Sequence, residues 1–170
     1  MNEEKPTIIQ SDNGLVADVR SMIEQTREGV AQTVNMGMTL LYWRIGKRIQ
    51  TEVLGNERAE YGKEIVATLS QQLNVEFGNG FSTKNLRHML KFAEEFPKSE
   101  IVSTLSRQLG WSHFKEIIYL SQPLQREFYA EMCRVERWSV RTLRAKIQGM
   151  LFERTAISKK PEATINASNA

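Results

Sequence analysis

A ten-residue segment occurs twice in this chain. EIVATLSQQL, residues 64–73, returns thirty-six positions later as EIVSTLSRQL, residues 100–109, with eight of the ten positions identical. In both copies Ile, Val and two Leu recur at the spacing of the apolar face of an α-helix. A chain that repeats an amphipathic helix is expected to build its core by packing helices, so the repeat predicts an all-α protein.

Each copy is followed by a turn and a second predicted helix. A glycine, an aromatic residue and a serine occur in both turns, and the serines, Ser82 and Ser112, are expected to cap the helices that follow. The pattern predicts a duplicated helix-turn-helix centre, with units at about residues 60–96 and 100–120. Such a unit places its second helix in the major groove of DNA, but two helices joined by a glycine turn also build α-helical cores. Both interpretations remain open on this pattern.

A long apolar periodicity precedes the repeat. Apolar or semi-apolar residues recur mostly three or four positions apart at Leu15, Val19, Met22 or Ile23, Thr26, Val30, Val34, Leu41, Ile45, Ile49 and Val53. The length predicts a long N-terminal helix that is kinked near Gly29 or Gly37, divided into two helices, or paired with a partner. This helix could form a homodimer or dock a nuclease domain or another partner protein.

Positive charge is concentrated toward the C-terminal end. The net charge is only +3, yet residues 134–160 hold eight Lys and Arg against two Glu. Ser139 is expected to cap a basic C-terminal helix whose cationic side chains could contact phosphates or only keep the surface solvated.

The second helix of the first unit begins with residue types that suit base edges and phosphates. Together with the basic C-terminal helix it gives the predicted DNA-binding set: Lys84, Asn85, Arg87, His88, Lys91, Arg141, Arg144 and Lys146. The second unit is expected to act mainly as support, because Ile117, Ile118 and Leu120 follow its early polar residues.

No apolar run is long enough to cross a membrane, and the start of the chain lacks the basic and apolar parts of a secretory signal. We therefore expect a cytoplasmic protein with no membrane partner. Residues 1–14 are expected to be a flexible start, residues 15–157 a helical domain, and residues 158–170 a polar tail or linker.

Five segments carry a resemblance to a known family. YGKEIVATLSQQL, FGNGFSTKNLRHMLKFAEEFP, LGWSHFKEII, REFYAEM and WSVRTLRAKIQGMLFERTAISKKP resemble, in order and spacing, the N-terminal domain of the YhcG family of bacterial proteins. The match covers roughly residues 15–161. The resemblance implies that this helical domain binds DNA and that, in full-length relatives, it precedes and targets or regulates a nuclease domain of the PD-(D/E)XK class.

The chain itself is expected to lack that nuclease domain. A magnesium-dependent nuclease of this class needs an Asp followed by a (Glu or Asp)-x-Lys, but the aspartates are Asp12 and Asp18 and the single Glu-x-Lys precedes both. Cys133 is the only cysteine, and the two histidines, His88 and His113, do not have metal-binding spacing. We predict no catalytic residue, no metal site and no cofactor, so the expected partners are DNA, a second copy of the chain, or a nuclease domain or other protein.

Overall fold

The computed structural model describes residues 13–56 and 59–157, and within these ranges the protein is all-α, as the sequence predicts. Residues 1–12 of the expected flexible start and the expected tail, residues 158–170, lie outside the described residues. The helices are α1 (Asn13–Leu54), α2 (Ala59–Phe77), a 3₁₀ turn (Asn79–Phe81), α3 (Thr83–Glu95), α4 (Ser99–Leu105), α5 (Trp111–Ile117), α6 (Pro123–Glu136), α7 (Val140–Gln148) and α8 (residues 151–157).

Helix α1 is a single helix of 42 residues that runs without a break through Gly29 and Gly37. This excludes the alternative of two N-terminal helices. Its C-terminal half lies against α3, where the indole Nε1 of Trp43 donates to the carbonyl of Phe96 at 2.7 Å. The approach is close at Gly46, because a Cβ there would overlap the carbonyl oxygen of Met89.

The N-terminal half of α1 behaves differently, because every residue from Gly14 to Val34 is exposed. Large apolar side chains between residues 15 and 41 remain in contact with solvent on one side of the helix. We call this set the α1 stripe: Leu15, Val16, Val19, Met22, Ile23, Val30, Val34, Met38 and Leu41. The predicted apolar periodicity is therefore present, but no other described part of the chain covers its first half.

The core has two parts that meet at α3. The larger is built from α3 to α7 and includes Phe92, Phe114 and Tyr129, all without exposed surface. The smaller joins α1, α2 and α3 through residues such as Ile49 and Met89. Because α3 contributes to both parts, its position is fixed on two sides and its remaining face is left to solvent.

Each repeat copy folds into a pair of helices, but the second helices of the two pairs have different N-terminal caps. The hydroxyl of Ser82 accepts the backbone N–H of Asn85 at 3.1 Å and caps α3, as predicted. The expectation that Ser112 caps its helix is wrong, because α5 already begins at Trp111 with Gly110 as its N-cap. The glycine N–H finds its acceptor in the Nδ1 of His113 instead, at 3.0 Å.

Candidate nucleic-acid interface

One face of α3 carries four of the predicted DNA-binding residues. Lys84, Arg87, His88 and Lys91 are three, four and seven positions apart, which places them on the same side of the helix. The buried residues of α3 lie on the opposite side: Leu86, Met89, Phe92 and Ala93. Burial of that side fixes the rotation of α3, so the basic face points to solvent.

The cations on this face differ in how strongly other residues hold them. Lys84 and Arg87 are exposed and form no hydrogen bond or ion pair with another described residue. Lys91 is partly neutralised, since its Nζ lies 3.1 Å from the Glu95 carboxylate and 5.7 Å from the ring centre of Tyr119. Lys84 and Arg87 are therefore the members of the face best placed to meet an anion.

Asn85 is occupied by contacts within the protein. Its Nδ2 donates to the carbonyl of Gly80 at 2.5 Å, and its Oδ1 accepts the indole N–H of Trp111 at 3.3 Å. A bidentate contact to adenine needs both ends of the amide. In this arrangement Asn85 instead connects the first turn of the repeat to the second.

The beginnings of α3 and α5 border an open cleft of about 380 Å³. No acidic residue lines it, and its lining consists of Asn79, Ser82, Lys84, Asn85, His88, Trp111 and Lys115. Lys115 is absent from the predicted set. Its correspondence to α3 depends on the Gly110 cap, which the structure shows and the sequence does not predict. Counted from the N-caps Ser82 and Gly110, Arg87 and Lys115 occupy the same fifth position.

His88 connects the two repeat copies at the edge of this cleft. Its Nδ1 is hydrogen-bonded to the hydroxyl of Tyr119, and the two rings meet edge to face at a centroid distance of 5.3 Å. Burial lowers the pKa of His88, and the positive charges of Lys115 and Lys84 lower it further. A pKa below the ordinary value of 6.5 keeps the imidazole largely neutral at neutral pH.

Residues 18–154 match the family model described as the DUF1016 N-terminal domain. The chain belongs to this family. It is also 29% identical over 174 residues to a protein of Escherichia coli (strain K12) whose name is "Putative nuclease YhcG", and this match covers 85% of the chain and 46% of that relative. The chain thus spans about half the length of the curated relative, and the resemblance to the YhcG family is confirmed. No solved structure matches the chain significantly.

In this DUF1016 N-terminal domain the basic residues of α7 lie outside the cleft. Arg141 is exposed, Arg144 contacts the carboxylate of Glu116 at 2.6 Å, and Lys146 lies 5.7 Å from the ring centre of Trp138. Helices α3 and α7 both pack against α5, but no residue of α7 lines the cleft. The predicted set therefore consists of an α3 group and an α7 group.

His113 and Cys133, the other residues considered for metal binding or catalysis, have structural roles in this domain. His113 accepts from the Gly110 N–H at Nδ1, which requires that its Nε2 donates to the Trp138 carbonyl at 2.7 Å. Cys133 is buried, and burial raises the pKa of its thiol to about 12. The described part of the chain holds no cluster of three or more His, Cys, Asp or Glu that could bind a metal ion.

Among residues 13–56 and 59–157, no helix combines the length and the apolar character that crossing a bilayer requires.

Proposed function

We propose that this domain binds duplex DNA through the exposed face of α3 and the adjoining start of α5. The observation that carries the proposal is the cleft between these helices, where Lys84 and Lys115 meet without an acidic neighbour in the lining. Cations without carboxylate partners can exchange their counterions for phosphates, which is the main source of affinity for DNA.

Helices α3 and α5 make different contacts in this proposal. Lys84, Arg87 and Lys115 contact backbone phosphates, and the outer part of α3 faces the groove with His88 and Lys91. Asn85 positions the surface through its contacts with Gly80 and Trp111. Arg141, Arg144 and Lys146 of α7 add phosphate contacts farther along the duplex, with Arg144 released from Glu116 for this purpose.

The similarity to the protein named as a nuclease extends the proposal to a role in longer relatives. Because the chain spans 46% of that protein, we propose that this domain supplies DNA binding and that the other part supplies any catalysis. In this view the domain targets or regulates a nuclease and does not cleave DNA itself.

Fluorescence anisotropy of a labelled random duplex tests the proposal, with the chain titrated at several salt concentrations. The wild type is expected to bind with a steep salt dependence. A Lys84→Ala, Arg87→Ala, Lys115→Ala variant should lose most of the affinity, and its slope of log K against log salt should fall by about 0.9 for each lost phosphate contact.

The matched control is Lys63→Ala, Lys98→Ala, Arg107→Ala, which removes three exposed cations from other surfaces and changes the net charge equally. It should retain nearly wild-type affinity. Equal losses in both variants would mean that net charge alone attracts DNA, and no binding by the wild type at low salt would refute DNA binding. Circular dichroism establishes that each variant is folded.

The α1 stripe favours a second candidate function, a protein-interaction module. An apolar helical interface depends little on salt, whereas DNA binding through several phosphates weakens steeply. The same salt series therefore separates the two functions.

A further inference from the structure

The first half of α1 is a helix without cover from the described part of the chain. The first contacts with the body occur where the amide of Gln32 donates to the Arg107 carbonyl at 2.7 Å and the amide of Asn35 donates to the Leu109 carbonyl at 3.4 Å. Every residue from Gly14 to Val34 is classed as exposed, and six members of the α1 stripe between residues 15 and 30 are 45–65% exposed.

This segment has a composition that does not favour a free-standing helix. Its stripe consists largely of Val and Ile, which lose side-chain freedom in a helix, and Gly29 lies within it. In proteins most helical stability comes from packing of an amphipathic face and not from intrinsic propensity. The segment therefore needs a second surface against its apolar side to be stable as a helix.

The spacing of the stripe indicates what that surface is. Between residues 16 and 33, β-branched residues alternate at intervals of three and four and mark one seam: Val16, Val19, Ile23, Thr26, Val30 and Thr33. This is the repeat by which helices supercoil. Val16, Ile23 and Val30 take the first heptad position, as in parallel two-stranded coiled coils, whereas Val19, Thr26 and Thr33 take the fourth position, where such coils usually have Leu. The hydroxyl of Thr33 donates to the Gly29 carbonyl at 2.9 Å, so its polar group is already satisfied when the seam closes.

We propose that two copies of this chain pair through the α1 stripe as a parallel two-stranded coiled coil. An identical helix is a self-complementary partner, since it presents the same seam at the same spacing. Arg20 and Arg27 lie beside the seam, whereas Asp18, Glu24 and Glu28 lie on the outer face of the helix. The charges of the segment nearly cancel as a whole.

The apolar area that is still exposed on the stripe sets how tightly two copies can pair. Residues 15–41 extend for about 40 Å along the helix axis. At about 25 cal/mol per Å², burial of a Val, Leu, Ile or Met side chain corresponds to roughly 60–120 Å². The nine side chains of the stripe are only 40–65% exposed, so the two copies together can remove roughly 500–1,000 Å² of side-chain surface from water. This is less than the roughly 1,200–2,000 Å² of specific, stable interfaces, and the dimer is therefore expected to dissociate on dilution.

Light scattering coupled to size-exclusion chromatography tests the pairing on the 170-residue chain over a dilution series. The wild type should have twice the 19.6 kDa mass of one chain at the concentrated end of the series. Val19→Asp with Val30→Asp should weaken the dimer by roughly 100-fold or more, because each copy then buries two carboxylates in an apolar seam. The matched control, Val75→Asp with Val135→Asp, changes two exposed valines on α2 and α6 and should remain dimeric.

A crosslinking experiment tests the register directly. In a parallel pair residue 23 meets its own copy, so Ile23→Cys should form an intermolecular disulfide when diamide is added as oxidant, while the native Cys133 is buried. Glu24→Cys, which points away from the seam, should crosslink far less.

Three results would overturn the proposal. A wild type with the mass of one chain at every soluble concentration would mean that another protein covers the stripe. A Val19→Asp, Val30→Asp variant that stays dimeric would place the interface elsewhere, and equal crosslinking at residues 23 and 24 would exclude the seam. DNA binding is measured separately, so either proposal can fail alone.

Discussion

Two nearly identical ten-residue segments lie at different depths in this protein. In the second copy Val102, Leu105 and Leu109 are at most 6% exposed. In the first copy Val66 is equally buried, whereas the residues that match the two leucines, Leu69 and Leu73, are only partly buried. The valine and the first leucine lie on the same helical face in both copies. Helix α4 ends at Leu105, however, so Leu109 follows the helix, whereas the matching Leu73 lies within α2. Helix α4 is enclosed by α1 and α6, whereas α2 covers α1 and α3 from outside.

The second helices of the two copies differ in chemistry as well as in burial. Helix α5 buries Phe114 and Ile117, and only its edge reaches the cleft with Lys115. Helix α3 has an exposed basic face with Lys84 and Arg87. The duplication therefore gives one copy that mainly builds the core and another that is available for binding, and the following substitutions measure that difference.

The largest expected effect compares the same residue in the two copies. Leu109→Ala removes a side chain with no exposed surface and should lower the free energy of unfolding by about 2–5 kcal/mol. Leu73→Ala, at the matching position of the first copy, should cost less than about 2 kcal/mol because water already reaches its site. Urea unfolding measures both, and equal losses would contradict the difference in depth.

The sequence predicts the parts of this fold that depend on local pattern. The all-α class, the length of α1, the Ser82 cap and the basic face of α3 all follow from periodicity and capping residues. The sequence misplaces the start of α5, because this start depends on the contact between His113 and the Gly110 N–H, which the matching serines do not indicate.

Contacts between distant segments were also beyond the sequence. Asn85 stays a predicted DNA contact, but the sequence does not show that it accepts the indole N–H of Trp111 or that Lys115 lines the same cleft. The bond from Trp111 to Asn85 and the cleft that includes Lys115 join residues more than twenty-five positions apart. Periodicity within one helix does not show which distant residues lie close together. The residues of the candidate site could therefore be identified only from the folded structure.

Two glycines of α1 test how closely this helix packs against α3, the second helix of the first copy. Gly46→Ala places a methyl group against the Met89 carbonyl and the side chain of Ala93, so α1 and α3 must separate, at a cost of about 1–3 kcal/mol or more. Gly37→Ala on the same helix has no neighbour within 4 Å and should stabilise by about 0.5–1 kcal/mol. Thermal unfolding compares them, and a neutral Gly46→Ala would show that α3 is not pressed against α1.

The hydrogen bond between Asn85 and Trp111 tests whether the two copies act as one unit. A double-mutant cycle with Asn85→Ala and Trp111→Phe isolates the bond from the other effects of each substitution. We expect a coupling energy of about 0.5–1.5 kcal/mol, the usual contribution of a partly buried hydrogen bond. Additive single effects would mean that the copies are stabilised independently.

The smallest expected effect is electrostatic and also links the copies. Lys115 of the second copy and Lys84 of the first both lower the pKa of His88, with burial the larger cause and Lys115 ahead of Lys84. Lys115→Met should therefore raise the pKa of His88, and Lys84→Met should raise it less. An NMR titration of the imidazole measures both shifts. An unchanged pKa in Lys115→Met would mean that Lys115 of the second copy has no electrostatic effect on His88 of the first.

The lowered pKa of His88 also fixes the sign of a stability change with pH. Its folded pKa lies below the value of 6.5 expected in the unfolded chain, so the unfolded state binds more protons between these two values. The contribution of His88 is therefore complete above pH 6.5 and declines as the pH falls through this window. His88→Gln removes the titrating group and should flatten that part of the stability curve relative to wild type. If His88→Gln loses as much stability as the wild type when the pH falls below 6.5, the loss comes from carboxylates elsewhere. The cleft would then have no measurable pH dependence of its own.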